Sequence, residues 1–119
     1  MNLIQTEYSV SNLWCQILRG AETAETPYIA LAEDDTLYPA DHFVYRPPPD
    51  TWGYNFNRWQ MLTWARRPFY FHKPYAANAA MIGPREMTVE ALKARIAGRG
   101  DEFIGYGMRE LGTNQRMHQ

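Results

Sequence analysis

Much that would classify this chain quickly is missing from it. Cys15 is the only cysteine among its 119 residues, so no internal disulfide can form. That usage fits a reducing compartment, and the expected location is the cytoplasm. No hydrophobic run approaches the length of about 20 residues that spans a bilayer as a helix. The N-terminus lacks a basic-then-apolar signal segment, so a soluble, intracellular protein without a membrane span is expected. The formal net charge is −1, which supplies no global field to attract nucleic acid or an anionic membrane. No Gly-rich phosphate loop of the Walker or dinucleotide type is present. His42, His72 and His118 are too far apart to match a zinc spacing, and each reads as a surface or hydrogen-bonded residue.

What is present points to one folded domain over 1–119. Aromatics make up 14%, with four Trp and eight Tyr, a composition that argues against a disordered chain. The length suffices for one core. Residues 10–97 carry the patterned part, and 98–119, polar and glycine-containing, read as a weakly ordered tail.

The most informative segment is Tyr28-Ile29-Ala30-Leu31-Ala32 followed by Glu33-Asp34-Asp35. The apolar run has the composition of a buried, central strand. Three carboxylates at its end repel one another, and such a cluster suits a hard divalent cation bound through oxygen. On an extended strand Glu33 and Asp35 would share a face and Asp34 would not. The bland alternative is an acidic turn.

Before this run, Val10, Leu13, Trp14, Ile17, Leu18 and Ala21 define the apolar face of a helix, with Ser9 or Ser11 as cap. Pro27 forbids its continuation. A helix feeding an apolar strand predicts an α/β domain with a parallel core. After the acids, His42 to Tyr45 reads as a short strand, and Arg46-Pro47-Pro48-Pro49-Asp50 as a stiff connector. Trp52, Tyr54 and Phe56 alternate with polar residues or glycine, as a half-buried strand does. Met61 to Trp64 is expected to pair with Phe69 to Phe71 across a turn at 65–68. Ala76 to Ile82 reads as a strand. A second helix then opens at Pro84, buries Val89, Leu92 and Ile96, and stops at Gly98.

Eight aromatic residues crowd between Trp52 and Phe71, and most are expected in the core. Trp59, set in Asn57-Arg58-Trp59-Gln60, is the expected exception. Its exposed ring can stack on a sugar or base, and Arg58 can pair with a phosphate or an acid. Cys15, beside Trp14 on the first helix, reads as packing.

Gln16 to Ala21, then Thr26-Pro27-Tyr28-Ile29-Ala30-Leu31-Ala32-Glu33-Asp34-Asp35-Thr36-Leu37-Tyr38-Pro39, resembles the middle of a GT-A glycosyltransferase, close to the family 2 type. Glu33-Asp34-Asp35 looks like a Glu variant of the D-x-D motif. Asn78 to Glu86, leading into a helix, looks like the acceptor-side strand and helix. The resemblance covers roughly residues 10 to 97 and implies a GT-A-like mixed sheet with flanking helices, in truncated or minimal form. It lacks the N-terminal half that holds the nucleotide base, so a fragment, a split-gene product or half of an assembly is expected, with a homo-oligomer or a partner chain completing it.

The activity so implied is hexosyl transfer from a nucleotide-diphosphate sugar to an acceptor hydroxyl, with Mn²⁺ or Mg²⁺. Glu33 would approach the ribose, Asp34 would support the site, and Asp35 would hold the metal. The acceptor would lie against Asn57, Arg58 and Trp59. The base that an inverting enzyme needs would be sought among Asp101, Glu102 and Glu110, and His118 is a candidate for the metal-ligating histidine near the C-terminus. The rival is a non-catalytic truncated GT-A module acting in binding or assembly. A third reading, nucleic-acid binding through Arg58, Arg66, Arg67 and Lys73, is opposed by the balanced charge.

Overall fold

A computed structural model describes residue 4 and residues 9–98. Helix α1 runs over Val10–Thr23, and the Ser9 hydroxyl caps it by accepting from the Asn12 N–H at 3.1 Å. Its apolar stripe follows the helical period. Trp14 and Ala21 are buried, Ile17 and Leu18 pack against the core, and Leu13 lies at the exposed margin. Helix α2 spans Arg85–Ala97, with Pro84 at its N-cap and Gly98 at its C-cap. Its buried face is centred on Thr88 and Leu92, not on the expected Val89, Leu92 and Ile96, because Ile96 turns toward solvent. The two helices pack together. The Arg95 guanidinium lies 4.3 Å from the centre of the Trp14 ring, and Lys93 pairs with Glu22 at 2.8 Å.

Three short strands form the sheet beneath them. β1 is Tyr28–Ala30, β2 is Gly53–Tyr54, and the third strand of the sheet is Met81–Pro84, which is β5 in chain order. Their order is β1-β5-β2, and both pairings are antiparallel. This corrects the expected parallel core and mixed sheet. It also moves the centre of the sheet, since β5 lies in the middle and β1 at an edge. Met81, Ile82, Gly83 and Pro84 are all buried, whereas Ala30 of β1 is exposed. Composition explains the exchange. The run Ala79-Ala80-Met81-Ile82-Gly83-Pro84 has no polar side chain and little bulk, so it fits where both faces and both edges are covered. The fit at Gly83 is tight. A Cβ there would sit 2.4 Å from Cδ1 of Trp52, whose indole N–H donates to the Thr88 hydroxyl at 2.9 Å. That hydroxyl in turn donates to the Pro84 carbonyl at 2.8 Å, so Thr88 is buried with its hydrogen bonds made.

Two 3-10 turns, Ala40–Val44 and Asn78–Ala80, replace expected strand at His42–Tyr45 and at the start of 76–82. The remaining strands, β3 (Trp59–Leu62) and β4 (Phe69–His72), form a separate hairpin with Leu62 opposite Phe69 and Trp59 opposite His72. The hairpin is the one expected, but its first strand lies two residues earlier than Met61–Trp64, so Thr63 and Trp64 fall in the turn; Pro68 sits just before β4, where its missing N–H is tolerated. The belt is mostly surface rather than the expected core: Phe56, Trp64, Phe69, Tyr70 and Phe71 are exposed, as is Trp59, the residue expected to be so. The chain is thus a small α/β protein with two helices and two antiparallel sheets among the described residues. None of its described helices is long and apolar enough to cross a membrane.

Candidate functional site: an acidic turn and a neighbouring cleft

The strand β1 ends at Ala30, and one further bond, Leu31 N–H to the Met81 carbonyl, prolongs its pairing. Glu33, Asp34 and Asp35 therefore lie beyond the strand, on a turn closed by the Thr36 N–H donating to the Glu33 carbonyl at 3.3 Å. The alternation expected for an extended strand does not apply to them. All three are exposed, and no described lysine or arginine forms an ion pair with them. Asp35 Oδ1 accepts from the Thr36 hydroxyl at 3.3 Å.

Tyr38 fixes the turn to the sheet. Its hydroxyl accepts from the Glu33 N–H at 2.9 Å and donates to the Ala79 carbonyl at 2.7 Å. The segment leading into β5 and the acidic turn are thus joined through one phenol oxygen. The Tyr38 ring also meets His42, with centroids 5.0 Å apart. His42 is 92% buried, with 8% of its surface exposed, and its Nε2 has no hydrogen-bond partner among the described residues. It is neither the surface residue nor the satisfied core residue expected from the sequence. It lines a cleft of about 310 Å³ between the 40–44 turn and the β2–β5 pair. Asp41, Tyr45, Tyr54 and Asn55 contribute the other polar groups of the lining. Nothing in the local sequence marks this cleft, because its residues come from three segments brought together only by the antiparallel pairing.

The expected acceptor-side residues lie elsewhere, at the start of the hairpin. Trp59 is 59% exposed, and its indole N–H donates to Asn57 Oδ1 at 3.2 Å. Its ring packs against Tyr70 and His72 of the opposite strand. Arg58 is half-buried and spends one guanidinium N–H on the Tyr75 carbonyl at 3.0 Å, so it serves the hairpin base rather than an acid. Lys73 donates to Gln60 at 2.8 Å, while Arg66 and Arg67 are exposed at the hairpin tip. Asp101, Glu102, Glu110 and His118 lie outside the described residues.

For a divalent cation, the donor set is suitable in type and sparse in number. Carboxylate oxygens on an exposed turn are the hard ligands that Mg²⁺ and Mn²⁺ take. Among the described residues, however, no group of three or more His, Cys, Asp or Glu side chains is arranged to hold a metal. The described residues thus do not enclose a cation by protein ligands alone. Comparison with protein-family models, with curated proteins and with solved structures finds no match to this chain.

Proposed function

We propose that the acidic turn is the donor site of a metal-dependent glycosyltransferase of GT-A type, acting on a nucleotide-diphosphate sugar. The observation that carries this reading is the turn itself: three exposed carboxylates without an ion-pair partner among the described residues, tied to the sheet through Tyr38. Like charges held together without a counter-cation are disfavoured, and a bound cation would relieve them. Asp35 would hold Mn²⁺ or Mg²⁺ jointly with diphosphate oxygens, Glu33 would take a ribose hydroxyl, and Asp34 would support the turn. When bound, such a cation neutralises charge on the departing diphosphate. Trp59 offers an exposed ring to an acceptor sugar.

The test is thermal unfolding with UDP or GDP in the presence of Mn²⁺. A rise in melting temperature that needs both nucleotide and cation, and that disappears in Asp35→Ala, is expected. If neither nucleotide shifts the curve with Mn²⁺ present, the donor reading fails.

A second reading, a non-catalytic binding or assembly module, is supported by the exposed aromatic hairpin. Soluble chains rarely present so many large apolar side chains together unless something covers them. Sedimentation of the chain at increasing concentration distinguishes the two: self-association without any nucleotide affinity favours the module.

A further inference from the structure

We propose that the β3–β4 hairpin docks on the surface of an anionic membrane, with its tip among the lipid headgroups. The proposal goes beyond the donor reading and does not rest on it, since neither nucleotide nor cation enters it.

The net charge of −1 conceals a segregation. Residues 51–85 contain no aspartate or glutamate, yet they hold Arg58, Arg66, Arg67, Lys73 and Arg85. The whole hairpin lies within this stretch. Lys73 is committed to Gln60, and Arg58 to the Tyr75 carbonyl. Arg66 and Arg67 are exposed at the tip, without an ion-pair partner among the described residues. An acid-free segment with two free guanidinium groups is attracted to a negatively charged surface.

The apolar groups narrow the partner further. The register places Trp59, Met61, Tyr70 and His72 on one face of the ribbon, and Gln60, Leu62, Phe69 and Phe71 on the other. Met61 is 64% and Tyr70 68% exposed on the first face, and Phe69 is 50% exposed on the second. Trp64, just past the end of β3, is 82% exposed. Large apolar side chains therefore face outward on both sides and at the end. A protein or a nucleic-acid strand lies against one side of a ribbon, whereas a lipid interface surrounds it.

Charge separates the same candidates. A second copy meeting hairpin to hairpin would set like charge against like, with no acid to offset it. A nucleic acid takes much of its affinity from many phosphate contacts, and two free cations supply few. Binding at a membrane surface draws on buried apolar area, and basic residues add to it. Size agrees. Each strand has four residues, so the ribbon is about 13 Å long. Interfacial segments sink about 5–10 Å into the headgroup and acyl boundary. At that depth the open edges of the ribbon keep their unpaired N–H and C=O groups hydrated. Tryptophan suits this level, with an apolar ring and an N–H that stays wet.

The test is flotation of the full chain with vesicles of phosphatidylglycerol and phosphatidylcholine in equal parts, and with phosphatidylcholine alone. Binding to the anionic vesicles should be at least about tenfold tighter and should weaken with salt. Arg66→Gln combined with Arg67→Gln should weaken it about thirtyfold, each cation contributing about fivefold. Trp64→Ala, at an exposed turn position, should weaken it about tenfold. Lys93→Ala, an exposed cation on α2, should leave binding unchanged. Comparing the parent chain with Trp64→Phe isolates the Trp64 emission, which should shift to the blue on the anionic vesicles. The proposal is overturned by absence of flotation, by equal binding to neutral vesicles, or by binding indifferent to the Trp64 and arginine variants. Equal weakening by Lys93→Ala would reduce the effect to net charge and overturn it too. Tighter binding of single-stranded poly(U), lost in the same variants, would assign the surface to nucleic acid instead. A Trp64 emission already blue-shifted without vesicles would show the tip covered by the chain itself or by a second copy, against the proposal. The nucleotide and Mn²⁺ melting experiment has a separate readout, so either result can fail without the other.

Discussion

The helix-covered sheet and the β3–β4 hairpin are made of similar residues and hold them in opposite ways. Trp14, on α1, is fully buried, whereas Trp64, near the hairpin tip, is 82% exposed. Both regions are rich in aromatic and aliphatic side chains. Coverage separates them. β5 has a strand on each edge and helices packed against it, so its residues lose solvent on every side. The hairpin has one strand paired to one strand, and an isolated two-stranded ribbon cannot bury either face. Hydrophobic composition therefore sets how much surface a segment would gain by burial, and topology decides whether it gets it.

The sharpest way to break this comparison is to truncate one large side chain in each region and measure unfolding in denaturant. Trp14→Ala should cost about 3–5 kcal/mol, as deletion of a fully buried aromatic does. Trp64→Ala should stay within about 0.5 kcal/mol, as surface changes do. Comparable losses at the two sites would mean that the hairpin is buried against something in solution. Overpacking at the centre of the sheet comes next. Gly83→Ala drives a methyl into the Trp52 ring and should cost about 1–3 kcal/mol. A smaller effect belongs to Thr88→Val, which strands the Trp52 indole N–H with an expected loss of about 1–3 kcal/mol, toward the lower end because Trp52 is only partly buried. Tyr38→Phe should cost about 1 kcal/mol of stability while loosening the acidic turn, a change visible as faster amide exchange at Glu33. Lys93→Ala removes an exposed ion pair to Glu22 and should cost under about 1 kcal/mol.

The sequence was most readable where structure is local. The helical period and the Ser9 cap located α1, and the turn before Pro68 located the hairpin. Gly98 marked the end of α2. What depends on distant partners was not readable. Direction of pairing is a property of two segments, and nothing in Tyr28–Ala30 alone distinguishes a parallel from an antiparallel neighbour. Thr88 on α2 reads as a surface group, and its burial depends on its two partners, Trp52 and Pro84, which the local sequence does not name. The same holds for the sites. The acidic turn is contiguous and announced itself, although its carboxylates lie past the strand rather than on it. The His42 cleft is assembled from residues on three segments, so a lone histidine between Asp41 and Phe43 carried no signal of it.

The register of the sheet also bears on how the chain folds. Ile29 pairs with Gly83, and the whole aromatic segment, hairpin included, is spanned by that pairing. The sheet cannot form until this long loop closes, whereas α1 and the hairpin need only near neighbours. Closure entropy grows slowly with length, by about 0.6 kcal/mol for each doubling. Removing or lengthening the hairpin tip would therefore alter the closing step little.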